Sequence, residues 1–169
     1  MSVREFVPSD DATGLRFCVV AAQWNESVVR RLVDGTLATL RSRGAAEADV
    51  EVWWVPGSFE LPYAAQQAAL WGRREEGAAG EDPYFDAVVA LGCVIRGETE
   101  HFRIVADNAA QGLLRVALES GVPVLNGVLA VYDTAQAEAR SGGEHRNTGS
   151  QAALAAVRMA NLRRARGAS

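Results

Sequence analysis

Four short apolar runs, each followed by a segment of different periodicity, constrain this chain more than any other feature. They are residues 16–22 (RFCVVAA), 50–55 (VEVWWV), 87–95 (AVVALGCVI) and 124–131 (VLNGVLAV). Apart from Arg16, Glu51 and Asn126, they are apolar or glycine at successive positions rather than at alternate ones. Such runs suit strands buried on both faces, and therefore a parallel sheet. After the first run, Val28, Val29, Leu32, Val33, Leu37 and Leu40 recur at helical spacing, and Gly44 stops the pattern. Asn25 or Ser27 is placed to cap that helix. Residues 61–71 predict a second helix with Pro62 in its first turn, and residues 104–120 a third. A short helix is expected over 133–141, where Asp133 and Gln136 have capping-box spacing, and an Ala-rich one over 150–165. Residues 72–82 and 142–149 read as loops.

Strands alternating with helices imply an α/β fold. The expected architecture is a three-layer α/β/α sandwich on a four-stranded parallel sheet, close to the flavodoxin-like class, with right-handed crossovers. At 169 residues the chain suits one domain, placed at 15–169 behind a polar arm at 1–14 expected to be flexible.

The charge pattern excludes several function classes. The net charge is −4 and the arginines are scattered among acids. No basic stripe suits nucleic acid, and no polybasic run suits a membrane surface. Arg163, Arg164 and Arg166 read as cations near a helix end, where the dipole favours them. There is no bilayer-length apolar stretch, and residues 1–12 lack a signal peptide's apolar centre, so a cytoplasmic location is expected. Cys18 and Cys93 lie inside apolar runs and read as buried free thiols of a reducing compartment. His101 and His145 are too isolated to predict a metal site, with no Cys or acid cluster at ligand spacing. No phosphate-loop, dinucleotide, CxxC or nucleophile-elbow pattern is present.

In an open parallel sheet ligands bind beyond the carboxyl ends of the strands. Those ends carry Trp24 and Asn25, then Ser58, Phe59 and Glu60, then Arg96, Gly97, Glu98, Thr99 and His101, then Tyr132 and Asp133, with Arg140 beyond. Each residue also has a plainer reading. His101 fits a proton carrier near neutral pH and a water-facing helix start equally well. Glu60 suits a solvated acid at a helix start before it suits an acceptor for ligand hydroxyls. Trp24 could cap the sheet rim or stack on a flat heterocycle. Gly97-Glu98-Thr99 could offer backbone N–H groups to a phosphate, and Arg140 a planar cation for it, although a surface charge is the commoner role of a helix arginine.

Three segments together resemble one family closely: VPGSFELP (55–62), ALGCVIRGETEHF (90–102) and GVPVLNGVL (121–129). The helix at 136–142 and the Ala-rich segment AALAAVRMANL (152–162) fit as well, so the resemblance covers nearly all of 16–162. The family is the 6,7-dimethyl-8-ribityllumazine synthases, transferases of riboflavin biosynthesis. The resemblance implies condensation of 5-amino-6-(D-ribitylamino)uracil with 3,4-dihydroxy-2-butanone 4-phosphate, releasing phosphate and water, without metal or organic cofactor. It implies that His101 carries protons. It places Trp24 and Asn25, Ser58, Phe59 and Glu60, and Cys93, Val94 and Ile95 around the pyrimidine and its ribityl chain. Glu98, Thr99 and Arg140 would hold the phosphate.

The chain departs from the family pattern at a few positions. Trp24 replaces the phenylalanine of most bacterial members and keeps a stacking surface. Asn126 stands where many members place a phenylalanine in the neighbouring subunit's pocket, so either the pocket is more polar there or Trp24 fills the space. The loop GGEHRNTG (142–149) lacks two lysines of the similar family stretch, and Arg146 is a candidate replacement. The resemblance also implies a homo-oligomer, a pentamer that some members build into shells of sixty subunits, and an association with riboflavin synthase. The competing expectation is a relative that holds riboflavin with little catalysis, favoured by the larger Trp24 and opposed by the retained His101 and Arg140. A flavodoxin-like electron carrier would need a Ser/Thr-rich phosphate loop where Gln23–Ser27 stands.

Overall fold

The computed structural model describes residues 3–71, 84–142 and 147–167. The expected loop at 72–82 and most of the one at 142–149, with His145 and Arg146, lie outside the described residues. The elements are β1 (Phe17–Ala22), α1 (Glu26–Ser42), β2 (Val50–Val55), α2 (Leu61–Leu70), β3 (Ala87–Ile95), α3 (His101–Ser120), β4 (Val124–Val131), α4 (Thr134–Arg140) and α5 (Thr148–Gly167). Single 3₁₀ turns at Glu47–Asp49 and Ser58–Glu60 precede β2 and α2.

All strand pairs are parallel, in the order β2-β1-β3-β4. Phe17 sits opposite both Val50 and Ala87, and Ala21 opposite Trp54 and Leu91, so the three strands run in step. Both faces are covered, as continuous apolar strands demand. Phe17, Val19 and Ala21 of β1, with Val89, Leu91 and Leu129, pack under α1 and α5 through Leu32, Ala153 and Val157. The alternate residues Cys18, Val20, Val88 and Ala90 pack under α2 and α3 through Leu61, Ala65 and Leu113. Fully buried leucines such as Leu61 and Leu113 each gain about 1.5–3 kcal/mol from leaving water. α1 and α5 approach closely because residue 149 is glycine: a Cβ there would run into the Leu32 carbonyl.

Three local features differ from expectation. Asn25 occupies the N-cap position of α1, but its side chain caps nothing and its backbone is left-handed, at φ 59° and ψ 43°. α3 starts at His101 rather than at 104, because Arg103 and Ile104 already donate to the Glu100 carbonyl. α5 starts at Thr148, because Asn147 Oδ1 accepts the Ser150 N–H in the manner of an N-cap. At α4 the N-cap half of the box forms, with Asp133 Oδ1 accepting from Gln136 N–H at 2.8 Å, while Gln136 Oε1 accepts from Tyr132 N–H at 3.1 Å, one residue before the cap.

The end of the expected arm is fastened. Asp10 takes Nε and Nη2 of Arg158 at 2.6 and 3.1 Å, and Asn161 Nδ2 donates to the Ser9 and Asp11 carbonyls. Ala12 and Leu15 are buried, so the hydrogen-bonded chain extends across the boundary drawn at residue 14. The terminal arginines also do more than face a dipole. Arg163 donates to the Gly121 carbonyl, Arg164 pairs with Asp86, and Arg166 lies over the Phe6 ring.

Candidate active site

The chain runs from β1 outward to β2, then crosses back to β3 beside β1. That reversal leaves a crevice at the carboxyl ends of β1 and β3, the place where open α/β sheets bind ligands. A cavity of about 320 Å³ lies there. Trp24 forms one side, and Ser58 comes from the end of β2. Cys93, Val94 and Ile95 come from the end of β3, Gly97 and Thr99 from the following turn, and His101, Phe102 and Val105 from α3. Eight residues singled out from the sequence are thus brought together: Trp24, Ser58, Cys93, Val94, Ile95, Gly97, Thr99 and His101.

Backbone bonds place the aromatic side. Gln23 N–H donates to the Val55 carbonyl at 2.8 Å and Trp24 N–H to the Pro56 carbonyl at 3.2 Å, which folds the end of β1 against that of β2. The Trp24 side chain is left 73% exposed, an unusual state for tryptophan and one that suits stacking on a ligand. Ser58 is buried in its 3₁₀ turn, and its Oγ has no hydrogen-bond partner among the described residues. Gly92 makes the room: a Cβ there would press on that hydroxyl and on Leu61. Burial pushes the Cys93 thiol up to about 11, so it stays a neutral S–H at neutral pH.

His101 opens α3. Its backbone N–H points to Thr99 Oγ1 at 3.4 Å and its side chain is exposed to the cavity mouth. Phe102 and Val105 complete the α3 wall, and neither was singled out beforehand. Residues 101, 102 and 105 share a helix face, so the signal was present once the helix was known to start at His101 rather than at 104. Arg96 N–H bonds the Val131 carbonyl, and its guanidinium lies 5.8 Å from the Phe102 ring and 5.6 Å from that of Tyr132.

Other expected site residues do not line this cavity. Asn25 Nδ2 donates to the Cys93 carbonyl at 2.9 Å. Phe59 and Glu60 are exposed beside Ser58, and Glu98 is exposed in the turn. Arg140 ends α4, half-buried, with Nη1 on the Gln136 carbonyl. Asn126 is exposed on the edge strand β4, opposite Ala90 and well short of the carboxyl end, and its Oδ1 accepts the Val128 N–H. Among the described residues no group of three or more His, Cys, Asp or Glu could hold a metal, and no helix is long and apolar enough to cross a membrane.

Chemically, the crevice offers an aromatic face, an apolar wall, an exposed imidazole and a glycine-containing turn that leads into a long helix. A planar heterocycle fits the first two, and an anion fits the turn. Comparison with known proteins gives the same direction. The family model described as 6,7-dimethyl-8-ribityllumazine synthase matches residues 14–164. A Stenotrophomonas maltophilia (strain K279a) protein named 6,7-dimethyl-8-ribityllumazine synthase is 48% identical over 147 residues, 87% of this chain and 88% of that protein. One of the same name from Xanthomonas campestris pv. campestris (strain B100) is 45% identical over 150 residues, 89% of this chain and 90% of the relative. With the family model spanning all but the ends, and the matching segments including the strand ends that build the crevice, the chain belongs to the 6,7-dimethyl-8-ribityllumazine synthase family.

Proposed function

We propose that this protein condenses 5-amino-6-(D-ribitylamino)uracil with 3,4-dihydroxy-2-butanone 4-phosphate to 6,7-dimethyl-8-ribityllumazine, the penultimate step of riboflavin biosynthesis. The observation that carries this reading is that Trp24 and His101, from elements far apart in sequence, face one cavity of about 320 Å³.

The pyrimidine stacks on Trp24 against the wall of Cys93, Val94 and Ile95, with Ser58, Phe59 and Glu60 toward the ribityl chain. The butanone phosphate sits at the turn of Glu98 and Thr99, where backbone N–H groups receive the phosphate and Arg140 supplies the charge. The chain contains no lysine. No enzyme side-chain amine can therefore form an imine with the butanone, and the Schiff base forms directly between the two substrates, the pyrimidine's amino nitrogen replacing the ketone oxygen, which leaves as water. Phosphate then leaves, the enol tautomerises, and the second nitrogen closes the ring with loss of water. Each step moves a proton between substrate atoms, which one imidazole at the cavity mouth can carry. Holding both substrates in reacting geometry supplies the rest. Neither a metal nor an organic cofactor enters this scheme.

Asn126 and Arg140 lie away from their own chain's cavity, which supports an assembly in which neighbouring subunits complete each site. The reading includes a ring of five subunits, a shell of such rings as its larger form, an association with riboflavin synthase, and a cytoplasmic location.

The test is to mix the two substrates with purified protein and follow the fluorescent lumazine. Product above the uncatalysed rate, lost in His101→Ala, is the expected result. No product, together with tight quenching of added riboflavin, would overturn the synthase in favour of a flavin-holding relative.

A further inference from the structure

We infer that Asn25 is a positioning residue of the pyrimidine pocket: its carboxamide fixes the slot between Trp24 and the end of β3 without touching substrate. The inference rests on the proposed condensation for its kinetic readout and on the structure for its geometry.

β1 ends at Ala22, and its last partner in β3 is Leu91, opposite Ala21. β3 continues to Ile95, so beyond Leu91 its β1 side has no strand to bond. Asn25 Nδ2 fills the gap, donating to the Cys93 carbonyl at 2.9 Å. A side chain thus supplies a ladder bond that the strand has stopped supplying, and a buried carbonyl is satisfied. The same residue turns the chain. Its left-handed backbone, the only positive φ outside glycine among the described residues, swings β1 into α1. Its own carbonyl accepts the N–H groups of Val28 and Val29 and starts the helix.

Asparagine is the residue that meets both demands, because it tolerates the left-handed region and carries an N–H donor on a short arm. The preceding residue, Trp24, is held between this strut and its backbone bond to Pro56. Cys93, Val94 and Ile95 form the facing wall. On the β3 side the width of the slot therefore depends on this bond, while Asn25 itself stays outside the cavity lining.

The test compares Asn25→Asp and Asn25→Gly with wild type, measuring kcat, both KM values, and pyrimidine binding by calorimetry. Asn25→Gly keeps the turn and removes the strut, so loss of folding does not confound it. Asn25→Asp keeps shape and turn, but as an anion it faces the Cys93 carbonyl with an acceptor. Once protonated, its O–H can donate again. Losing one net hydrogen bond corresponds to about a tenfold rise in pyrimidine KM and Kd. The butanone phosphate KM should stay within about twofold, since the strut bonds Cys93, ahead of the turn that begins at Arg96. For Asn25→Asp the ratio to wild type should shrink as pH falls toward 5. Glu26, Cys93 and His101, the titratable neighbours, are common to both proteins and cancel in that ratio. Asn25→Gly should show no such recovery.

Unchanged pyrimidine binding in both variants would overturn the inference, and so would equal rises in both KM values without pH rescue. If wild type makes no lumazine, the proposed condensation falls, and calorimetry with the pyrimidine alone still decides the strut.

Discussion

Arg164 grips Asp86 side-on: Nε lies 2.9 Å from Oδ1, and Nη2 lies 2.9 Å from Oδ2. Asp86 is 7% exposed and also accepts the Arg16 N–H at 2.7 Å, while its own N–H donates to the Arg16 carbonyl. Arg164 Nη2 reaches the Gly14 carbonyl as well. One carboxylate thus ties the end of α5 to the entries of β1 and β3, at the opposite end of the sheet from the crevice. Charge-assisted, two-pronged bonds of this kind are the strong ones. Asp86→Ala should lower stability by about 2–3 kcal/mol in urea unfolding, because a guanidinium and a backbone N–H lose their acceptor together. Turnover at temperatures well below the melt should change little. A loss under about 0.5 kcal/mol would show that water replaces the carboxylate freely.

His101→Ala should reduce kcat by about 10²–10⁴-fold, the usual contribution of a positioned proton carrier. Pyrimidine binding should be nearly preserved, because the stacking face is Trp24 on a different element. The measurement is turnover beside calorimetric binding of the pyrimidine. An unchanged kcat would remove His101 from proton transfer.

The sheet was legible because its signal is local and repeated. Residues 50–55, 87–95 and 124–131 are strands with the expected bounds; the inner strand 87–95 has no polar side chain because both its faces are covered, while Glu51 and Asn126 fall on the two edge strands. The site was legible to the extent that strand order brings strand ends together, which is why Trp24, Ser58, Cys93 and His101 meet. What escaped depends on backbone geometry. Asn25 read as a helix cap, the commonest use of asparagine before a helix; that its side chain turns instead to β3 follows from β1 stopping before β3 does. Phe102 and Val105 escaped because Arg96 to Glu100 look too polar to lead straight into a helix, and the Glu100 carbonyl starts α3 earlier than the apolar pattern shows. The anchoring of Ser9 to Asp11 on α5 joins residues about 150 positions apart, and no local pattern announces it.

Asp10 gives a pH prediction. The hydrogen bond from Arg158 holds its carboxyl below the ordinary value, with the Arg158 and Arg43 charges acting in the same direction. Because the folded value is lowered, the attachment is complete above the unfolded value near 3.8 and weakens as pH falls through the folded one. The segment around Asp10 should therefore stay docked at neutral pH and loosen in strong acid before the sheet does. Hydrogen exchange at Thr13 and nearby amides, followed from pH 7 downward, reads this directly. Asp10→Asn should show the loosened exchange already at pH 7. Equal exchange in both proteins at every pH would mean that the remaining contacts, those of Asn161 and the Ala12 N–H to the Arg43 carbonyl among them, hold the segment without Asp10.

Cys93 offers a chemical probe of the slot. Burial raises its thiol to about 11, and Cys18, deeper in the sheet, is raised further by burial with Glu51 adding to it. At pH 7 the Cys93 thiolate is then about 10⁻⁴ of the total. The thiolate is the reactive form, so alkylation by iodoacetamide should be slow at pH 7 and rise about tenfold per pH unit toward pH 10. Cys93 borders the cavity and Cys18 does not, so Cys93 should react first, and the pyrimidine bound against that wall should protect it. Mass-spectrometric peptide mapping with and without the pyrimidine distinguishes the two thiols. Protection by the pyrimidine but not by the butanone phosphate places the ring against β3. Equal labelling with and without the pyrimidine would move the ring away from Cys93, and the stacking partner of Trp24 would then have to lie nearer α3.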